Sequence, residues 1–434
     1  MPVAAQGINI LRDTETEEML KSYEQPLARA AGLDPNAVRT YLVSDDVVNA
    51  FVAEGQNVFM LSGIILYCKT PNELIGVMAH ETGHMKAGHL IRGEIGMQKA
   101  MIPMLLSMVV GVAAAIAGAG EAGMVLMGLG QAVAQAQMTQ FTEIQESTAD
   151  QIGAQLLNAT HQSPQGMYAM FQRMAAEEAR RDIYYRPDPY ASDHPSGQTR
   201  VAQLQDVVEA SPYRDVKDSP QVTHTFEMVQ AKLFGYIRPV QEVLDHYPPS
   251  NTSEVARYAR AMAYLRKPDL QKALSEINSL IKDEPNNPYF YEVLGQIYLS
   301  MAHPAEAIPA YQKSVDLKPT APQLRLALAT AELATESPAF APKALDNLKA
   351  ASLVENDDVF TWYETAQAYS MMKNEPMANL SSAEAYYNGG AMMQAVVFAT
   401  RARRDLTQGT ADWERANDIV NAAAPQAAEQ RRGG

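Results

Sequence analysis

Between residues 39 and 66 the chain reads RTYLVSDDVVNAFVAEGQNVFMLSGIIL. β-branched and aromatic residues dominate, with breaks at Asp45-Asp46 and Gly55-Gln56, so the stretch predicts two or three strands. The pattern changes at Pro71. PNELIGVMAHETGHMKAGHLIRGEI carries proline near its start, Glu73 in the first turn and no later proline. It predicts a helix of about five to six turns. Residues 8–34 mix charged and apolar positions as a helix does, and helix resumes through TEIQESTADQIGAQLLNAT. Residues 183–200, rich in Pro, Tyr, Asp and Ser, read as a loop.

From about residue 250 the pattern becomes short helical stretches with small residues at fixed spacing. Pro285 and Pro319 stand 34 positions apart, with Tyr291, Leu294, Gly295, Tyr298, Ala307 and Tyr311 between them. This is the tetratricopeptide pattern. One period earlier come Tyr264, Ala273 and Pro285, and a further copy carries Trp362, Ala366, Tyr369 and Ala378. Small residues let paired helices approach closely, and stacked pairs form a solenoid. The expected fold is mainly α with a small β-sheet, an α+β domain followed by an α-solenoid.

Composition narrows the function. The 434 residues are 47% hydrophobic and 20% charged, as in a folded chain of two or three domains. A formal net charge of −15 repels a phosphate backbone, so nucleic acid is not an expected partner. Cys68 is the only cysteine, which excludes an internal disulfide. The opening MPVAAQGINI has neither a basic start nor a long apolar core, so no full signal peptide is legible. VAA before Gln6 has the small residues of a signal-peptidase site; an ordinary disordered N-terminus is the alternative.

The chemistry concentrates in MAHETGHMKAGH, residues 78–89. Positions four apart on a helix lie about 40° apart around it, so His80 and His84 can offer ring nitrogens to one cation. Glu81, about 100° round from His80, suits a base acting on water beside that cation. His89 falls on the opposite face if the helix continues, and is read as structural or solvated. A third ligand is needed, and EIQESTADQIGAQ offers Glu146 from a second helix. Asp150, one turn on, can accept the outer N–H of a histidine ligand. Two histidines and one glutamate leave a position open, as in a catalytic zinc site. One Zn2+ per chain is preferred over Co or Mn on ligand type.

His80-Glu81-Thr82-Gly83-His84 with Glu146-x-x-Ala149-Asp150 resembles the gluzincin peptidases that include HtpX and the CAAX prenyl proteases. The repeats narrow the resemblance to the BepA-like branch of periplasmic zinc metalloproteases. That resemblance implies a zincin-like catalytic domain, unfolded or misassembled protein substrates, and a role in outer-membrane protein assembly and quality control in a Gram-negative periplasm. It also implies that His194, in SDHPSGQTRV, can occupy the open metal position and plug the site, and that Arg200 pairs with a nearby carboxylate. Gly83 departs from the bulkier residues of many relatives and calls for a packing reason.

Expected domains are a metallopeptidase domain at 1–210, a connecting segment at 211–250, the repeats at 251–424 and a disordered tail at 425–434. Residues 101–120 carry no charge and are long enough to span a bilayer. A single crossing would separate His80 and His84 from Glu146. The return stretch to residue 137 is short and holds Gln131, Gln135 and Gln137, so a transmembrane hairpin is disfavoured. The preferred reading of 101–137 is a helical hairpin with peripheral membrane contact through 101–130, with burial against the repeats as the alternative. For the whole chain the rival to a zinc endopeptidase is a repeat-based scaffold or chaperone for outer-membrane protein assembly with a latent or inactive metal site.

Overall fold

The computed structural model describes residues 9–53, 55–89, 141–180 and 198–433. The chain divides into two compact units, one of residues 9–11 and 16–230, the other of residues 12–15 and the chain from Ala231 onward. The architecture is mainly α with one small sheet, followed by a region of repeated helix pairs.

In the first unit, α1 (Thr14–Ala31) precedes a sheet of β1 (Arg39–Val43), β2 (Ala50–Ala53) and β3 (Asn57–Leu61). The strand order is β1-β3-β2, with β3 parallel to β1 and antiparallel to β2, so β2 is an edge. Alternation along β3 buries Val58 and Met60 on one face. Phe59 on the other stacks between Tyr41 and Phe51 at ring separations of 5.2 and 5.0 Å.

The apolar run after β3 is not strand. Ser62–Tyr67 forms the short helix α2, because residues 45–47 fold back onto it. Ser62 Oγ donates to the Asp45 carbonyl at 2.8 Å and accepts the Asp45 N–H at 3.1 Å. A Cβ at Gly63 would collide with the Asp46 and Val47 backbone, so glycine is required for that approach.

The helices α3 (Pro71–Ala87), α4 (141–159), α5 (Gln165–Arg180) and α6 (Gln198–Glu209) complete this unit together with most of α7 (Pro220–Ile237). Leu20, Leu27, Ile64, Ile65, Leu74, Met78, Met167 and Met170 are fully sequestered and form its core. Each such side chain contributes on the order of 2 kcal/mol of burial free energy.

The second unit contains α8 (Val240–His246) and then five pairs: α9/α10 (Glu254–Arg266, Leu270–Asp283), α11/α12 (Pro288–Ser300, Pro304–Leu317), α13/α14 (Pro322–Ala334, Ala341–Ser352), α15/α16 (Val359–Met371, Glu375–Asn388) and α17/α18 (Met392–Asp405, Ala411–Gly433). Pro285 and Pro319 lie in the turns between pairs. The Tyr311 ring seats against Gly295, where an added Cβ would meet ring carbons at 2.7 Å. That contact explains the glycine and the second-helix aromatic of the repeat. The same unit buries Lys232 among Asp13, Glu15 and Glu292, with the Tyr258 hydroxyl donating to Glu15 at 2.7 Å.

Helix runs into both the connecting segment and the expected disordered tail. The segment 211–250 is largely helical, because α7 continues through the change from one unit to the other at Gln230. The tail from 425 is helical to Gly433. Its alanines are strong helix formers, and Ala423 and Ala427 pack with Ala416 and Ile419.

Candidate metal centre

The histidine-bearing helix α3 is fixed at both ends. Thr70 caps it, its Oγ1 accepting the Glu73 N–H at 3.2 Å, while the Glu73 carboxylate accepts the Lys69 N–H at 2.7 Å. Glu73 also takes both terminal nitrogens of Arg173 on α5, at 2.8 and 2.7 Å. The other end stops earlier than the sequence pattern suggests. Gly88 adopts φ 67° and donates its N–H back to the His84 and Met85 carbonyls, a left-handed cap that ends the helix at Ala87.

Glycines bring α4 against α3. A Cβ on Gly83 would lie 2.6 Å from the Ala149 carbonyl oxygen, and one on Gly153 would lie 3.1 Å from the Ala79 backbone. This is the packing reason for Gly83. It places the Glu146 and Asp150 turn directly beside His80 and His84.

Three donor groups converge. His80 Nε2 and His84 Nε2 are 3.1 Å apart, His80 Nε2 is 3.4 Å from Glu146 Oε2, and His84 Nε2 is 3.3 Å from Glu146 Oε1. Ligands about 2.05 Å from a tetrahedral ion stand about 3.3 Å from one another. The observed separations match that spacing, so the residues present fit one metal ion. His80 is fully buried, Glu146 nearly so, and His84 is the partly open member.

The outer side of His80 is equally defined. Its Nδ1 lies 2.9 Å from Asp150 Oδ1, which makes Nε2 the nitrogen facing the centre. Arg200 donates from Nε to Asp150 Oδ2 at 2.8 Å and from Nη2 to Oδ1 at 2.9 Å, and its Nη1 reaches Glu146 Oε2 at 2.9 Å. Phe171 packs edge-on to His80 and lies under the Arg200 guanidinium. Burial alone would push the His80 imidazolium down, but the Asp150 and Glu146 carboxylates overturn this and raise it to about 10. The same negative field favours a cation at that point. Burial likewise opposes ionisation of Asp150, yet hydrogen bonds from His80 and Arg200 hold its carboxyl below the usual range. Glu81 is buried on α3 next to His80.

His89 is neither solvated nor on the far face. Because Gly88 turns the chain, His89 Nδ1 comes to 3.0 Å from His84 Nδ1, and its ring sits edge-on to the His84 ring. The continuous-helix reading missed this, and the glycine at 88 was the signal for it. The structure therefore brings together His80, Glu81, His84, Glu146, Asp150 and Arg200. His194 and the apolar stretch 101–137 lie outside the described residues. Among the described residues no helix is long and apolar enough to cross a membrane.

Residues 14–208 match the model of peptidase family M48, which supports a metalloprotease. The similarity extends through the repeats. The beta-barrel assembly-enhancing protease of Escherichia coli (strain K12) is 26% identical over 409 residues, 91% of this chain and 81% of its own length. The protease of the same name in Yersinia pestis is 25% identical over 411 residues, 92% of this chain and 82% of its own. Metalloprotease LoiP of Escherichia coli (strain K12) is 29% identical over 199 residues, 46% of this chain and 73% of its own.

Proposed function

We propose that this chain is a zinc endopeptidase that hydrolyses peptide bonds of misfolded or stalled envelope and outer-membrane proteins in a Gram-negative periplasm. The observation that carries the chemistry is the convergence of His80, His84 and Glu146, all three donor atoms within 4.8 Å of one another. These residues would hold one zinc ion, which when bound supplies Lewis acidity and lowers the pKa of water towards neutrality. Glu81 takes the proton from the attacking water and returns it to the leaving amine. Asp150 fixes the tautomer of His80, and Arg200 holds Asp150 and Glu146 together from behind.

An extended substrate adds to the sheet along the edge of β2 that is unpaired among the described residues, next to the Tyr41-Phe59-Phe51 ladder. The site therefore suits unfolded chains rather than compact ones. The assignment to outer-membrane clients rests on similarity to the beta-barrel assembly-enhancing proteases over nine-tenths of the chain. On this reading the helix pairs are tetratricopeptide repeats that recruit clients or assembly machinery.

The test is zinc content together with cleavage of an unfolded protein, wild type against Glu81→Gln. The proposal expects one zinc per chain in both and cleavage only in the wild type. Zinc without Glu81-dependent cleavage would assign the chain to the scaffold class instead.

A further inference from the structure

A second carboxyl group lies behind the Glu81 turn. Glu24 of α1 is 2% exposed, and its Oε1 is 3.0 Å from the hydroxyl of Thr82, the residue after Glu81. Glu24 Oε2 has no hydrogen-bond partner among the described residues, and no cation pairs with the group there.

The Thr82 hydroxyl has one proton for two oxygen neighbours. Thr82 Oγ1 is also 2.6 Å from the Met78 carbonyl oxygen one turn back. A carbonyl can only accept, so that short contact consumes the single Thr82 hydroxyl proton. The remaining Glu24–Thr82 contact joins two oxygens and needs a proton of its own. It comes from a protonated Glu24, which donates to a lone pair on Thr82. A carboxylate there would leave two acceptors facing each other in a buried site.

We propose that Glu24 is a positioning residue that works as a neutral carboxylic acid, donating to Thr82 and thereby holding the turn of α3 that carries Glu81. The role of Glu81 as base comes from the proposed peptidase function; the protonation of Glu24 does not depend on it. Burial, with a smaller contribution from the Glu81 charge on the facing helix, raises the Glu24 carboxyl to about 7. A Thr82 hydroxyl turned towards Glu24 would lower it, but that proton is engaged by the Met78 carbonyl.

The sign of the pH effect follows. Between an ordinary glutamate value of about 4.3 and its raised folded value, Glu24 is protonated in the folded chain and ionised in the unfolded one. Stability conferred by this group is present at acid pH and is lost as pH rises through that window. Glutamine at position 24 keeps the shape and the donor, its amide N–H replacing the acid O–H, and cannot ionise. Alanine keeps neither.

The experiment compares full-length zinc-loaded wild type, Glu24→Gln and Glu24→Ala in three measurements. Melting temperature is followed from pH 5 to pH 8. Difference infrared spectra at pH 6 detect a protonated carboxyl C=O stretch. Steady-state cleavage of an unfolded protein gives kcat and KM. The melting advantage of Glu24→Gln over wild type should widen with rising pH, and the wild-type minus Glu24→Gln difference spectrum should carry an acid C=O band. In Glu24→Ala kcat should drop ~10-fold at unchanged KM, with Glu24→Gln restoring it. A missing acid band, or Glu24→Gln melting below wild type at pH 8, overturns the proposal; these two readouts need no substrate. They therefore answer for Glu24 even if no variant cleaves, an outcome that would count against the peptidase reading alone.

Discussion

Replacing Asp150 with asparagine tests the support around His80. The carboxylate accepts from three donors, the His80 ring nitrogen at 2.9 Å and two Arg200 nitrogens at 2.8 and 2.9 Å. Asparagine keeps the size but turns one oxygen into a donor, so either the His80 or the Arg200 side must meet an N–H with an N–H. It also removes one negative charge from beside a buried imidazole. Partners of this kind are worth 10- to 100-fold in metal affinity, or about 1.4–2.7 kcal/mol. Breaking a buried ion pair outright costs about 3–5 kcal/mol. Arg200 retains Glu146 at 2.9 Å, so the metal-free variant should lose about 1–3 kcal/mol. Zinc affinity is measured by competition with a chromogenic chelator, and stability by urea unfolding of the metal-free chain. Affinity within twofold of wild type would refute the reasoning, because His80 would then be oriented without Asp150.

Gly83→Ala should lower the melting temperature, although alanine gains about 1 kcal/mol of helix propensity, because its Cβ would press on the Ala149 carbonyl at 2.6 Å. A rise in melting temperature would show that α3 and α4 have slack. Lys232→Met should cost about 3–5 kcal/mol at pH 8 in urea unfolding, since Asp13, Glu15 and Glu292 lose their buried cation. Burial already raises Glu15, and Glu292 to about 7, so these groups protonate more readily in the folded chain and the variant's deficit should shrink as pH falls to 5. A deficit independent of pH would contradict this account of the cluster.

Much of the site was legible because it obeys helical spacing. His80 and His84 share a face on any helix, and Glu146 and Asp150 share one on another. What linked the two helices was written less plainly, in Gly83 and Gly153. A glycine permits contact without naming its partner. His89 fits the structural half of its reading but was placed on the wrong face, because a periodic pattern does not reveal where a helix stops. Gly88 in the left-handed region changes the direction of the chain and with it the position of His89. The SGIIL run shows the same weakness, since short apolar runs fit strand and helix alike. Its helical state is decided by residues 45–47, which no local window contains. Glu24 carried no signal at all. It is one acidic residue among several on α1, singled out only by what packs against it.

The central claim is that carboxylate and imidazoles from two separate helices hold one ion. The most direct measurement is zinc per chain, by mass spectrometry after dialysis, for wild type, His84→Ala and Glu146→Ala, each checked for retained helical circular dichroism. The account predicts one zinc in the wild type and almost none in either variant. Full zinc occupancy in folded Glu146→Ala, or a wild type that binds none, would contradict it.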